Sequence, residues 1–389
     1  MHQIRMFTRL LLSTWPALCI AFPLHAATWQ VEPGGPITRL ADAVRQAGDG
    51  DTILVASGDY HGDVGVITQK RLTIRGVGVR PVFHADGQHA EGKAQWVLRD
   101  GDVLVENLAF TGTRVPDGNG AGIRFERGHL VVRRCAFLDN QMGLLTNNVE
   151  TARLEIEDSE FGNAPGVPGK LEHLLYIGRI ASASVVGSHF HGGHTGHLIK
   201  SRAARTWLAY NMIVDGPGGS ASYEVDLPNG GIATLLGNTI GQSEQTQNNT
   251  VVAYGAESRP WPENRLVMAH NTLLSPALPD ARFLRVWPER LPPDTPVFAL
   301  NNLTVGSGQF APVAVAQAGQ FTGNHALAMR LGSDVASLAP TFSDGARFPA
   351  ALPRLPDGTD LTPQAEFAWP VGRLALGPRQ RWAAGAFQR

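Results

Sequence analysis

The apolar positions of this chain recur in short bursts of alternation rather than at helical spacing. Between residues 103 and 305 one pattern returns: a β-rich run, a polar or small residue, then an apolar residue three places on. The instances are VLVENLAF ending at Phe110, LVVRRCAF at Phe137, LEIEDSEF at Phe161, ASVVGSHF at Phe190, TWLAYNMIV at Val214, ATLLGNTIG at Gly241, LVMAHNTLL at Leu274 and FALNNLTV at Val305. Aligned on these ends, Asn107, Arg134, Asp158, Gly187, Asn211, Asn238, Asn271 and Asn302 fall in one column. Its asparagines read as a turn ladder that hydrogen-bonds its own backbone.

A second strand-like run precedes each member of the column: GIRFE, GLLTN, LLYIG, LIKSR, YEVDL, VVAYG and FLRVW. Two or three short strands per unit, broken by Gly, Asn or Pro, fit one rung of a parallel β-helix. A propeller blade would need antiparallel strands and a unit of about 40 residues or more. Rungs stack at roughly 4.8 Å, so equivalent residues form ladders along the surface. The open first rung needs a cap. Ile37, Leu40, Ala43, Val44 and Ala47 lie at helical spacing and lead through GDGDTILVASGDY into a strand, which supplies one.

Helix, GDTI strand, Gly-x-Tyr, Asn-column rungs and a terminal GAFQ together resemble the secreted right-handed parallel β-helix proteins of the pectate-lyase-like superfamily. The resemblance spans residues 28 to about 310. It implies an all-β, single-stranded right-handed solenoid over 27–310, with 311–389 as a Pro-rich segment that wraps back or caps the C-terminal end. That superfamily includes polysaccharide lyases, glycoside hydrolases, uronate epimerases and non-enzymatic adhesins, so the fold alone leaves the function open.

Composition narrows the classes. Gly 44 and Pro 26 among 389 residues are an excess, and the glycines gather at the rung corners while prolines gather in the tail. Wholesale disorder is excluded by 43% hydrophobic residues. Lys+Arg 33 against Asp+Glu 34, with no basic run, argues against nucleic acid. Residues 1–26 carry Arg5 and Arg9, an apolar stretch from Leu10 to Leu24 and then His25-Ala26-Ala27, the form of a secretory signal peptide. The expectation is a periplasmic or secreted monomer with no membrane span once the signal is removed. Cys19 lies in the signal, so Cys135 is left without an intrachain partner and reads as a small core residue.

Candidate chemistry gathers on one ladder. Setting Leu175, Ile199, Val225 and Ala253 inwards aligns Tyr176, Lys200, Asp226 and Tyr254 outwards. Arg202 follows Lys200 on the same face, Glu224 precedes Asp226, and Arg124 and Thr146 continue the ladder on earlier rungs. Lysine occurs only at 70, 93, 170 and 200, and Lys200 alone stands mid-strand between charged neighbours. Arg202 would lower its pKa and Asp226 would raise it.

Removing the proton beside a uronate carboxylate and expelling the glycosidic oxygen requires a cation for the carboxylate and a tuned base. Arg202 suits the first task and Lys200 the second, with Tyr176 or Tyr254 returning a proton to the leaving oxygen. Some β-helix lyases acting on alginate or chondroitin use a Lys and an Arg on neighbouring rungs, sometimes with calcium, and Lys200 in IKSRA resembles the Lys part. Here the Arg shares the Lys strand and the next rung offers acids instead.

Other readings stay open. Glu224 and Asp226, with Glu257 as a third carboxylate, could be the acid and base of a glycoside hydrolase, or could hold Ca²⁺. The run SHFHGGHTGH sets His189, His191, His194 and His197 close together, with His173 one rung earlier. These could bind Zn²⁺, or His197 and His173 could serve in catalysis or sugar binding. The whole set could also be an ordinary salt-bridge ladder, or part of a non-catalytic protein that binds an acidic polysaccharide.

Overall fold

Alternating β-branched and aromatic runs of three to five residues, cut by turn residues, are too short to bury both faces alone. They gain stability only by stacking on the next rung. The computed structural model describes residues 26–276, 280–327, 349–352, 354–378 and 381–388. The signal peptide expected over 1–26 lies, apart from Ala26, outside the described residues.

Three parallel sheets result. Sheet I has twelve strands, from Thr28–Val31 to Gln320–Thr322. Sheet II has eleven, from Asp59–His61 to His325–Leu327, and sheet III has ten, from Gly65–Ile67 to Gly308–Gln309. The chain visits I, II and III in turn, and each strand pairs with its equivalents one rung before and one rung after. This is a right-handed parallel β-helix. Its strands continue past residue 310 to close one further rung.

The interior is ordered in columns. Phe83, Phe110, Phe137, Phe161 and Phe190 stack with centroids 5.7, 5.2, 4.7 and 4.8 Å apart. Ile213, Ile240 and Leu273 continue that register. At the corner between sheets I and II, the Oδ1 of Asn238 accepts the main-chain N–H of Asn211 at 3.0 Å, and its Nδ2 donates to the Leu208 carbonyl at 2.9 Å. The same bonds repeat through Asn271 and Asn302 to Asn324. The ladder therefore joins successive rungs rather than closing turns locally.

The expected single column is in fact two. Phe190 pairs with Ile213, not Val214. Asn211, Asn238, Asn271 and Asn302 thus stand one place inside the column of Asn107, Arg134, Asp158 and Gly187. That outer column continues through Tyr210, Gly237, His270 and Asn301, all of them left-handed with φ from +47° to +64°. Ser159 and Ser188 are the earlier members of the inner ladder.

Both ends are covered. The helix Leu40–Gln46 buries Leu40, Ala43 and Val44 under the first rung, and the Asp63 carboxylate accepts the N–H groups of Leu40 and Ala41. At the other end, the short helix Val313–Ala318 sets Val315 against the core. The tail runs back along the flank, where Leu355, Leu361 and Ala365 pack on Tyr210 and Leu236, and Phe367 and Phe387 pack on Met212 and Leu274. GAFQ docks through Gly385 N–H on the Asn301 carbonyl and Ala386 N–H on Thr272 Oγ1. Cys135 is fully buried and its thiol is pushed up to about 12, chiefly by burial.

Candidate functional site

The outer face of sheet III carries the ladder Arg124, Leu145, Tyr176, Lys200, Asp226, Ala253 and Arg285, in register. Leu145 takes the position expected for Thr146, which instead faces inwards and accepts the Gly178 N–H. Four rung steps separate Arg124 from Asp226, about 19 Å. Lys93, Arg124, Asn147, Asn148 and Tyr176 line a groove of about 390 Å³ at the early end of this face. Arg124 donates there to Glu126 at 3.3 Å, and Lys93 donates to the same carboxylate at 3.0 Å.

At the centre, Lys200 Nζ lies 2.9 Å from Asp226 and 3.0 Å from Glu257. The Arg202 guanidinium grips the same Glu257 carboxylate with two nitrogens, at 2.5 and 3.0 Å. It also donates to Asn229 at 2.9 Å and, through Nε, to the Tyr176 hydroxyl at 3.0 Å. The two cations are mostly covered, with side chains 10% and 19% exposed, whereas Glu257, on the loop after strand Thr250–Tyr254, is 41% exposed. Trp261 from the same loop donates to the Arg202 carbonyl and stacks under Arg179.

These contacts fix the charges. Burial alone would pull the Lys200 ammonium down, but the Asp226 charge and the hydrogen bonds the ammonium donates to Asp226 and Glu257 outweigh burial, so its pKa stands above the ordinary lysine value. Asp226 is buried too, which would raise it, yet His197 and Lys200 hold it below the usual carboxylate range. Glu257 is likewise held low, with Arg202 and Lys200 overcoming burial.

Beside this cluster His173, His197 and Tyr223 stack, with centroids 4.8 Å apart at each step. The Nδ1 of His173 accepts the His197 N–H at 2.8 Å, and the Nδ1 of His197 accepts the Tyr223 N–H at 3.2 Å. The Nε2 of His197 is then the nitrogen that donates to Asp226, at 3.3 Å. Burial first, then His197 and Lys200, lower the His173 pKa well below its ordinary value. The Nδ1 atoms of both rings are committed to the backbone.

Two expected members lie elsewhere. Tyr254 pairs with Leu227 in an inward column, is fully buried, and donates to the Gly231 carbonyl at 2.6 Å; Ala253 takes the outward position. Strand Thr250–Tyr254 is buried on both faces, so its residue types carry no alternation to read. Glu224 also points inwards. Ile199 N–H bonds to the Glu224 carbonyl and Leu198 N–H to that of Tyr223, which sets Glu224 in the column of Leu174 and Leu198. Two successive residues enter the core at that corner, and the period of two breaks. Glu224 is thus no partner for Asp226 in hydrolysis or in holding Ca²⁺.

Inside, Glu224 faces Asp215 and Gln242. Burial and the Asp215 charge push its carboxyl well above the ordinary range, and Asp215 itself is pushed up to about 6, chiefly by burial. The histidine run turns a corner and separates. His197 lies just before strand Ile199–Ser201 of sheet III, His194 at the corner beside Gly166, and His189 and His191 on sheet II, where burial pulls His189 down to about 4. Tyr223 and Asn229 belong to the site face but escaped the sequence reading, because no repeat position marks a loop or a strand end; Arg285 escaped it because Ala253, its partner on the ladder, was set inwards.

No protein-family model and no curated protein matches the chain. Among solved structures, the crystal structure of pectate lyase Pel9A superposes with a TM-score of 0.57 over 93% of this chain and 96% of that one, at 13% identity. The fold is that of a pectate-lyase-like β-helix. The Dettilon tailspike protein gp208 is a distant match, with a TM-score of 0.32 and 12% identity over 74% of this chain and 63% of that one. At this identity the likeness to Pel9A is one of fold.

Proposed function

We propose that this protein acts on an acidic, uronate-containing polysaccharide laid along the outer face of sheet III, and cleaves it by β-elimination. The observation that carries this reading is the seat of Glu257: a carboxylate held by two guanidinium nitrogens and an ammonium is bound as a uronate carboxylate would be. In this reading the substrate carboxylate displaces Glu257, and Arg202 neutralises it and acidifies the neighbouring C–H.

Lys200 is the base. Asp226 and Glu257 favour its protonated form, so it acts as a free amine at alkaline pH. The Tyr176 oxygen accepts from Arg202, which leaves its own O–H to serve the departing glycosidic oxygen. Lys93, Arg124, Asn147 and Asn148 extend polar contacts to further sugar rings. Export to the periplasm or beyond suits a polymer substrate.

The test is incubation of the purified protein with alginate, pectate, chondroitin and bacterial exopolysaccharides. Ultraviolet absorbance from a new unsaturated uronate supports elimination. Reducing ends without that absorbance indicate hydrolysis, and retention without cleavage leaves a binding protein; either outcome overturns the lyase.

A further inference from the structure

His189 and His191 flank Phe190 on strand His189–His191 of sheet II; Phe190 enters the core stack and both imidazoles stay on the outer face. Parallel pairing sets Glu160 of the preceding rung beside His189 and Gly162 beside His191. A Cβ at position 162 would fall inside the His191 imidazole, so the ring lies across a glycine, and its Nε2 meets Glu160 Oε1 at 3.0 Å. The two imidazoles are 4.6 Å apart, and one ligand atom from each of the three side chains lies within 4.8 Å of the others.

We propose that Glu160, His189 and His191 form a site for a divalent first-row transition-metal ion, on a different sheet from the lysine-arginine site. Two imidazoles and one carboxylate are the donor set of open zinc sites, with a fourth position left for water. Tetrahedral coordination at ordinary bond lengths sets donor atoms about 3.4 Å apart, within reach of small side-chain rotations from the present spacing.

An ordinary ion pair explains Glu160 with His191 but not His189, whose ring receives no hydrogen bond among the described residues. It also leaves unexplained why position 162 is kept free of a side chain. Softer metals than Ca²⁺ and Mg²⁺ are indicated by the nitrogen donors. The tail supplies a wall: Trp369 meets His189 edge-on at 4.9 Å and Phe367 lies 6.0 Å away, limiting water on one side.

The test titrates the full chain, made without a histidine tag and stripped with chelator, with zinc chloride by calorimetry. One zinc should bind, and His189→Ala and Glu160→Gln should each weaken binding at least about tenfold. Gly162→Ala should do the same while keeping all three ligands, because it expels the His191 ring. Cobalt chloride should give the intense visible bands of a four-coordinate ion, lost in His191→Ala. The proposal is overturned if the wild-type chain takes up no zinc, or if variants with unchanged circular dichroism bind it as tightly as wild type.

Discussion

Glu257 stands in the forked grip of Arg202, both carboxylate oxygens within 3.0 Å of guanidinium nitrogens, on a loop more exposed than the cation it neutralises. A substrate carboxylate must displace it. Replacing it with a neutral side chain removes the competitor and leaves both cations in place. Glu257→Gln is therefore expected to tighten binding of acidic oligosaccharides several-fold at low salt, measured by calorimetry against neutral oligosaccharide controls. Unchanged or weaker affinity would show that Glu257 contacts the sugar instead.

Lys200 and Arg202 separate by kinetics. Lys200→Ala should lower kcat by about a hundredfold or more, as loss of a general base does. Arg202→Lys keeps the charge but loses the two-pronged geometry, and should raise KM as well. Elimination by the wild type should rise into alkaline pH, because Asp226 and Glu257 hold the Lys200 pKa above its ordinary value. Asp226→Asn removes the largest contribution opposing burial, so the alkaline limb should move to lower pH. A limb that stays put would rule out Lys200 as the titrating base.

The buried Glu224 gives a stability prediction with a definite sign. Its folded pKa is raised, so the folded state keeps a proton that the unfolded chain releases above about pH 4.3. The contribution to stability is full below that pH and falls by about 1.4 kcal/mol per pH unit above it, until the folded pKa is reached. Glu224→Gln has no such slope. The variant should melt near the wild-type temperature at pH 4.5 and clearly above it at pH 8, read by circular dichroism. Equal melting temperatures at both pH values would remove Glu224 from the account.

Within the corner ladder, Asn238 links three rungs. It accepts from Asn211 and donates to both Leu208 and Asn271. Asn238→Ala leaves the Asn211 N–H buried without a partner and takes one donor from the Leu208 carbonyl, and is expected to cost about 2 kcal/mol in chemical denaturation. An exposed turn asparagine would cost a few tenths, so the measurement separates the two roles.

The solenoid was legible because each rung repeats one chemical choice, an apolar residue three places after a polar or small one that follows a short strand, many times over. The outward row Tyr176, Lys200, Asp226 was legible for the same reason, since Leu175, Ile199 and Val225 alternate with it. Tyr254 was not, because a strand buried on both faces shows no polar side, and the Gly231 carbonyl that satisfies its hydroxyl is remote in sequence. Glu224 was misread at a corner, because it lies just before strand Val225–Leu227, where the alternation of a strand does not apply. The two asparagine columns merged because rungs on either side of Phe190 differ by one residue in the run that ends them.

The tail touches the solenoid at points many rungs apart. Gly372 donates to the Gly187 carbonyl, Gln364 to the Tyr210 hydroxyl, and Gly385 to the Asn301 carbonyl. Such a segment works as a ruler. A β-helix without it could gain or lose a rung by duplication at little cost, each new unit stacking on the last. Here one inserted rung between Gly187 and Asn301 would move the docking points about 4.8 Å out of step with a strap of fixed length. The number of rungs is thereby locked to the length of the tail, and the two can change only together.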